Sequence, residues 1–164
     1  MPVYEPLVVR PVKSGHYPHM AKHDAVIWER FLAQYTPRIA GVAYDVALGG
    51  MVIDSALGDE ATRLGWQYET ALKVDAMVLM ERDCWIVEVR PRANVSSVGS
   101  ALCYVEAAKR DGFTTRPLLP VIVTDSASPD IQFCCAQLGV LLIQVGTAEI
   151  PAPVPPDLDS VRTP

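Results

Sequence analysis

The chain has 164 residues, 50% of them hydrophobic and 20% charged, with a formal net charge of -5. That is enough for one ordinary core and too little for two. It excludes a disordered chain and argues against a non-specific coat for nucleic acid, which is usually basic. No apolar run approaches the roughly 20 residues of a membrane span, and "MPVYEPLVVRPVKSG" lacks the pattern of a secretory leader. The expected setting is therefore cytoplasmic, without a membrane partner. The four cysteines, Cys84, Cys103, Cys134 and Cys135, show neither CxxC nor zinc-type spacing and are expected to be reduced residues of apolar sites.

In chain order, residues 1–22 hold four prolines and little periodicity and read as an extended arm. A helix is expected over 23–35, with Ile27 or Trp28, Phe31, Leu32 and Tyr35 at helical spacing, Asp24 as cap and Pro37 as stop. "AGVAYDVAL" (40–48) reads as a strand closed by Gly49 and Gly50. Residues 51–68, with Gly58 and Gly65, read as a loop or short helix. Strands follow at 72–80 and 84–90, joined by the polar tip "ERD". A helix is expected at 96–110, a strand buried on both faces at 119–124, a helix opening at Pro129 and ending at Gly139, and a last strand at 140–145. Residues 23–150 thus form a single α/β domain, a mixed sheet flanked by helices, and the proline-rich 151–164 form a tail.

Two strands of this pattern each carry a carboxylate at the centre, Asp75 in "KVDAMVL" and Glu88 in "WIVEVR". Burying unpaired charge is costly, so each needs a reason. Side chains alternate across a strand, which puts Glu88 and Arg90 on one face. If the hairpin closes at this polar tip so that opposed positions sum to 163, Asp75 faces Glu88, Cβ atoms about 4.5–5.5 Å apart. Two such carboxylates repel unless a cation lies between them, and carboxylate oxygens are what magnesium prefers. The open alternative is an ionic patch in which Asp75 and Glu88 pair with Lys73, Arg90 or Arg92 on a wet sheet face.

These residues resemble the PD-(D/E)XK nuclease superfamily, whose fold is shared by type II restriction enzymes, archaeal Holliday-junction resolvases and many phage exonucleases. The resemblance runs from about Asp24 to Val145. It rests on the acid in the second strand (Asp75), the E-x-K-like "EVR" of Glu88 to Arg90, and the following helix with Tyr104. It implies a restriction-endonuclease-like αβββαβ core. It also implies Mg2+ or Mn2+ held by Asp75 and Glu88, an assisting first-helix acid matched by Glu29, and hydrolysis of DNA. Arg92, Lys109 and Arg110 would then guide the phosphate backbone. Three positions depart from the family pattern: Arg90 replaces the lysine, Ser100 stands where many relatives have glutamine, and Val74 replaces the proline before the first acid. Arginine stays protonated, so it can clamp a phosphate but not trade a proton with water.

Those departures, the acidic charge and the proline-rich ends leave a second expectation. This is a catalytically inactive, phage-type descendant of the fold, a virion structural protein of a head–tail junction or collar, with protein subunits, copies of itself among them, as partners. The remaining candidate is the cluster His16, His19 and His23. It offers imidazoles to a transition metal, but Asp24 is the one acid nearby and Pro18 interrupts it.

Overall fold

A computed structural model describes residues 8–10 and 16–146. The proline-rich tail 151–164 read from the sequence lies outside the described residues. Among the described residues, six strands form one sheet in the order in which they occur in the chain. They are β1 (Val8–Val9), β2 (Gly41–Leu48), β3 (Leu72–Leu79), β4 (Cys84–Ala93), β5 (Leu118–Ala127) and β6 (Leu141–Gln144). β1 to β4 are an antiparallel meander, whereas β4, β5 and β6 run parallel. Parallel neighbours need crossovers, and α3 (Val95–Asp111) and α4 (Pro129–Leu138) supply them. α1 (Lys22–Tyr35) precedes β2, and α2 (Glu60–Thr70) links β2 to β3. The molecule is an α/β protein with a mixed sheet flanked by helices.

The two faces of the sheet are sorted by strand alternation. Ala76, Val78, Trp85, Val87 and Val89 form one core with α1, whose Ile27, Trp28, Phe31 and Leu32 are all buried. Trp28, Phe31 and Tyr35 stack along it, with ring centroids 4.8 and 4.7 Å apart. Met77, Cys84 and Ile86 point the other way, onto Val105, Ala107 and Ala108 of α3. Further along that face Val98 and Ala101 of α3 meet Ile122 and Cys135. Val121, Ile122 and Val123 are fully enclosed, as a parallel strand covered on both sides must be.

Local chemistry punctuates these elements. Asn94 and Ser97 form a reciprocal capping box on α3, and Gly112 closes that helix in the left-handed conformation. Ser128, with Pro129 at the first helical position, opens α4, and Gly139 ends it. α2, read as a loop or short helix, is capped by Asp59 and buries no residue fully. The arm is more than an arm: Val8–Val9 add an edge strand to β2, and Tyr17 and Met20 enter the α1 core. All four cysteines are free; Cys84 and Cys135 are buried as expected, but Cys103 and Cys134 are exposed.

Candidate functional site

The β3–β4 ladder pairs Leu79 with Cys84, Met77 with Ile86 and Ala76 with Val87. The next step along the hairpin is Asp75 and Glu88, both on the α3 face, as the symmetric closure predicts. Backbone pairing stops there. The Val89 N–H instead donates to Asp75 Oδ2 at 2.8 Å, which anchors that carboxylate to the neighbouring strand. Glu88 is 1% exposed. Its Oε1 lies 2.7 Å from Arg90 Nη2, while its Oε2 is buried with no hydrogen-bond partner. Arg90 also reaches the first helix, where Nη1 is 3.8 Å from Asp24 Oδ2. Asp24, Asp75 and Glu88 therefore converge around one guanidinium.

Their electrostatics follow from that crowding. Burial, then the neighbouring Asp75, push the Glu88 carboxyl up to about 7, with Arg90 opposing. Burial also raises Asp75, against the Val89 hydrogen bond and Arg90. Burial works against the charge of Arg90, but Glu88, Asp75 and Asp24 outweigh it and hold the guanidinium above its usual value. Tyr104, on α3, is raised by burial and by Glu88; its hydroxyl is bonded to Ser100, one turn earlier. Thus Tyr104, singled out by the family resemblance, is near enough for the acids to act on it, and Ser100 is bonded to its hydroxyl. Carboxyl groups raised in this way by burial gather at functional sites.

The other expected residues are distributed unevenly. Glu29 is half-buried on α1 and is absent from the groups whose charge acts on Asp75, Glu88 or Arg90; Asp24 takes that place. Asp24 is no cap, because Ala21 stands at the cap position and Asp24 lies buried in the first turn. Arg92 is exposed at the end of β4. Lys109 and Arg110 lie near the far end of α3, on the order of 20 Å along the helix axis from Arg92. Each is already matched, Lys109 with Glu106 at 2.6 Å and Arg110 with Asp111 at 2.8 Å. No continuous basic track joins the three.

The histidines separate as well. His16 and His23 are exposed, and among the described residues no group of three or more His, Cys, Asp or Glu side chains is placed to hold an ion. His19 alone turns to the acid cluster. Its Nε2 is 3.1 Å from Asp45 Oδ1 and 3.4 Å from the Tyr68 hydroxyl, which donates a short hydrogen bond to Asp45 Oδ2. Lys73 Nζ sits 2.7 Å above the Tyr68 ring. Asp45 falls opposite Asp75, between the paired Tyr44↔Ala76 and Val46↔Val74, and His19 is near enough for its charge to act on Asp75. Sequence reasoning passed over Asp45, although the signal was the same as for Asp75 and Glu88: an acid at the centre of an apolar strand. An open groove by the β3–β4 turn, lined by Arg38, Ile39, Met80, Arg82 and Trp85, shares no residue with this cluster.

No protein-family model, no curated protein and no solved structure matches this chain.

Proposed function

We propose that the chain is a metal-dependent nuclease of the restriction-endonuclease-like, PD-(D/E)XK class, hydrolysing phosphodiester bonds of DNA. The observation that carries this reading is the convergence on Arg90 of Asp75 and Glu88, from one face of the hairpin, and of Asp24, from α1, with Glu88 Oε2 buried and unpartnered. With α2 counted as an insertion between β2 and β3, the element order α1-β2-(α2)-β3-β4-α3-β5 is compatible with the αβββαβ core, and β5 lies parallel to β4 after the helical crossover.

The donors present fit a hard divalent cation. Mg2+ or Mn2+ takes oxygen ligands and typically uses one or two protein carboxylates, so Asp75 and Glu88 would hold it. Bound there, the ion supplies an activated water and stabilises the leaving oxygen. The protein side chains do the rest. The Val89 N–H fixes the rotamer of Asp75, so one carboxylate is pre-positioned. Arg90, 42% exposed at its side chain, is free to swing from Glu88 Oε1 to a phosphate oxygen and to clamp it through two parallel hydrogen bonds. Asp24 steadies that guanidinium from α1. Arg92 extends the positive end of β4 toward the backbone of the nucleic acid.

Cleavage of linear and supercoiled duplex DNA in Mg2+ or Mn2+, lost in Asp75→Ala and in Glu88→Ala, is the expected result. A wild-type protein that binds neither ion and cuts no DNA overturns the reading.

One observation favours a second reading, a nuclease-fold protein without activity that serves as an assembly component, for example in a phage particle. Arg90 already rests on Glu88 and beside Asp24, where it neutralises charge that an ion would otherwise meet. A ring-shaped oligomer in native mass spectrometry, without bound Mn2+, supports it. DNA cleavage gained in Arg90→Lys shows instead that the acid pair is intact and that position 90 alone was lost.

A further inference from the structure

Among the described residues, two that are not glycine have positive φ: His19 at 59° and Asp45 at 51°. The left-handed region is uncommon for residues with a side chain and costs roughly 1–2 kcal/mol outside glycine, aspartate and asparagine being the mildest cases. Strain of this kind persists where the surroundings impose it, and it gathers at functional sites. Here both strained residues belong to one contact, Nε2 to Oδ1 at 3.1 Å. They come from separate parts of the chain, the segment before α1 and the middle of β2, and α2 adds Tyr68 to lock Asp45 from its other oxygen. Packing alone does not call for this: the His19 side chain is 52% exposed and fills no core.

With Asp75 and Glu88 committed to the ion, the acid cluster offers no further group to take a proton from water. Arg90 stays charged at any working pH. Lys73 is committed to the face of the Tyr68 ring. We propose that His19, held by Asp45 and Tyr68, is the proton acceptor for the attacking water, performing the step that an arginine at position 90 cannot. This rests on the nuclease reading above and adds to it. In the step, neutral His19 takes a proton from water as its oxygen bonds to phosphorus. The bond from phosphorus to the leaving oxygen breaks, that oxygen takes up a proton from solvent, and His19 later returns its own proton to solvent. With Nε2 turned to the Asp45 carboxylate and the Tyr68 hydroxyl, the neutral ring would carry its proton on Nε2 and its lone pair on Nδ1. Asp45 and Tyr68 are positioning residues. The charged and titratable groups facing His19 are Asp45 from β2, Tyr68 from α2 and Asp75 from β3. Lys73 lies beyond Tyr68, and Asp24 and Arg90 beyond Asp75.

The test is single-turnover cleavage of a short linear DNA duplex in Mn2+ over the roughly pH 5–8 window in which imidazoles change charge. It compares wild type, His19→Ala and Asp45→Asn, each with and without added imidazole. Glu88 also titrates within this window, so the difference between wild type and His19→Ala carries the result. The expected outcome is a loss of about 100-fold or more in His19→Ala, the size of a missing general base. The pH dependence that wild type shows beyond that of the variant should disappear, and imidazole should restore much of the rate. Asp45→Asn should lose less and respond less to imidazole. Ring nitrogen shifts in the intact, metal-free protein give a readout apart from activity: His19 should carry its proton on Nε2 in wild type and lose that preference in Asp45→Asn. If His19→Ala cleaves at the wild-type rate with the wild-type pH profile while Asp75→Ala and Glu88→Ala are dead, the proton acceptor is refuted and the nuclease reading stands. If wild type cuts nothing with either ion, both fall.

Discussion

The β3–β4 hairpin and the His19–Asp45–Tyr68 cluster are two halves of one polar centre, built in opposite ways. In the hairpin, Asp75, Glu88 and Arg90 are near in sequence, and a four-residue turn with the Met80 N–H donating to the Asp83 carbonyl sets their register. Turn length and side-chain alternation suffice to place both acids on one face. In the cluster, the residues come from the segment before α1, from β2 and from α2, and no local rule brings them together. The hairpin hides its charges, with Glu88 almost fully enclosed. The cluster stays half open and accepts backbone strain at two positions. Local sequence supplies a rigid acid pair; tertiary packing supplies the more adaptable groups beside it.

The sharpest way to break this contrast is to remove a hairpin acid. Asp75→Ala or Glu88→Ala should each reduce Mn2+-dependent cleavage by about 10³-fold or more, equivalent to the several kcal/mol a metal ion contributes to the transition state. Residual wild-type activity in both would dissolve the distinction between the halves.

A second experiment uses the pH dependence of stability. The Glu88 pKa is raised on folding, so folding favours its protonated form. Its contribution is fully present below the ordinary carboxylate range and is lost as pH climbs through about 7. Urea unfolding from pH 4.5 to 8 should show wild type losing on the order of 3 kcal/mol relative to Glu88→Gln, which cannot ionise. A saturating concentration of Mn2+ should cancel much of that loss in wild type and none of it in Glu88→Gln. Parallel curves for the two proteins would mean that the Glu88 environment is not as enclosed as described.

Arg90→Met asks how far the guanidinium holds the hairpin together. With Arg90 gone, Glu88 and Asp24 lose their cation, but Glu88 can escape by taking a proton. The expected cost is therefore about 1–2 kcal/mol at pH 8 and little at pH 5; a fully buried pair would cost more, and Arg90 is partly exposed. Equal destabilisation at both pH values would show that the side chain matters for its packing.

The smallest effect belongs to the cluster. Tyr68→Phe removes a hydrogen bond to a carboxylate that solvent partly reaches, and should cost about 1 kcal/mol in urea unfolding without changing Mn2+ affinity. A change in Mn2+ affinity would make the two halves one ligand set.

Much of the fold was legible because its signals are local. Trp28, Phe31 and Leu32 at helical spacing, the enclosed run Val121 to Val123, and Gly139 past its helix each act within a few residues, and each produced its element. α2 was read only as a loop or short helix, because Gly58 and Gly65 punctuate that stretch, and none of its residues is fully buried. The role of the arm was not legible: Val8–Val9 become a strand because β2 offers an edge, and Tyr17 and Met20 become core because α1 leaves room.

The site divides along the same line. The sequence by itself determined that Asp75 and Glu88 would share a face beside Arg90, because hairpin register and strand alternation are properties of short stretches of chain. Only the tertiary structure decided which helix acid joins them, Asp24 and not Glu29. It also separated Lys109 and Arg110 from Arg92, and brought His19 and Asp45 alongside Asp75. Those outcomes depend on how a helix docks on a sheet and where a loop crosses its end, and such contacts are set by the packing of distant side chains.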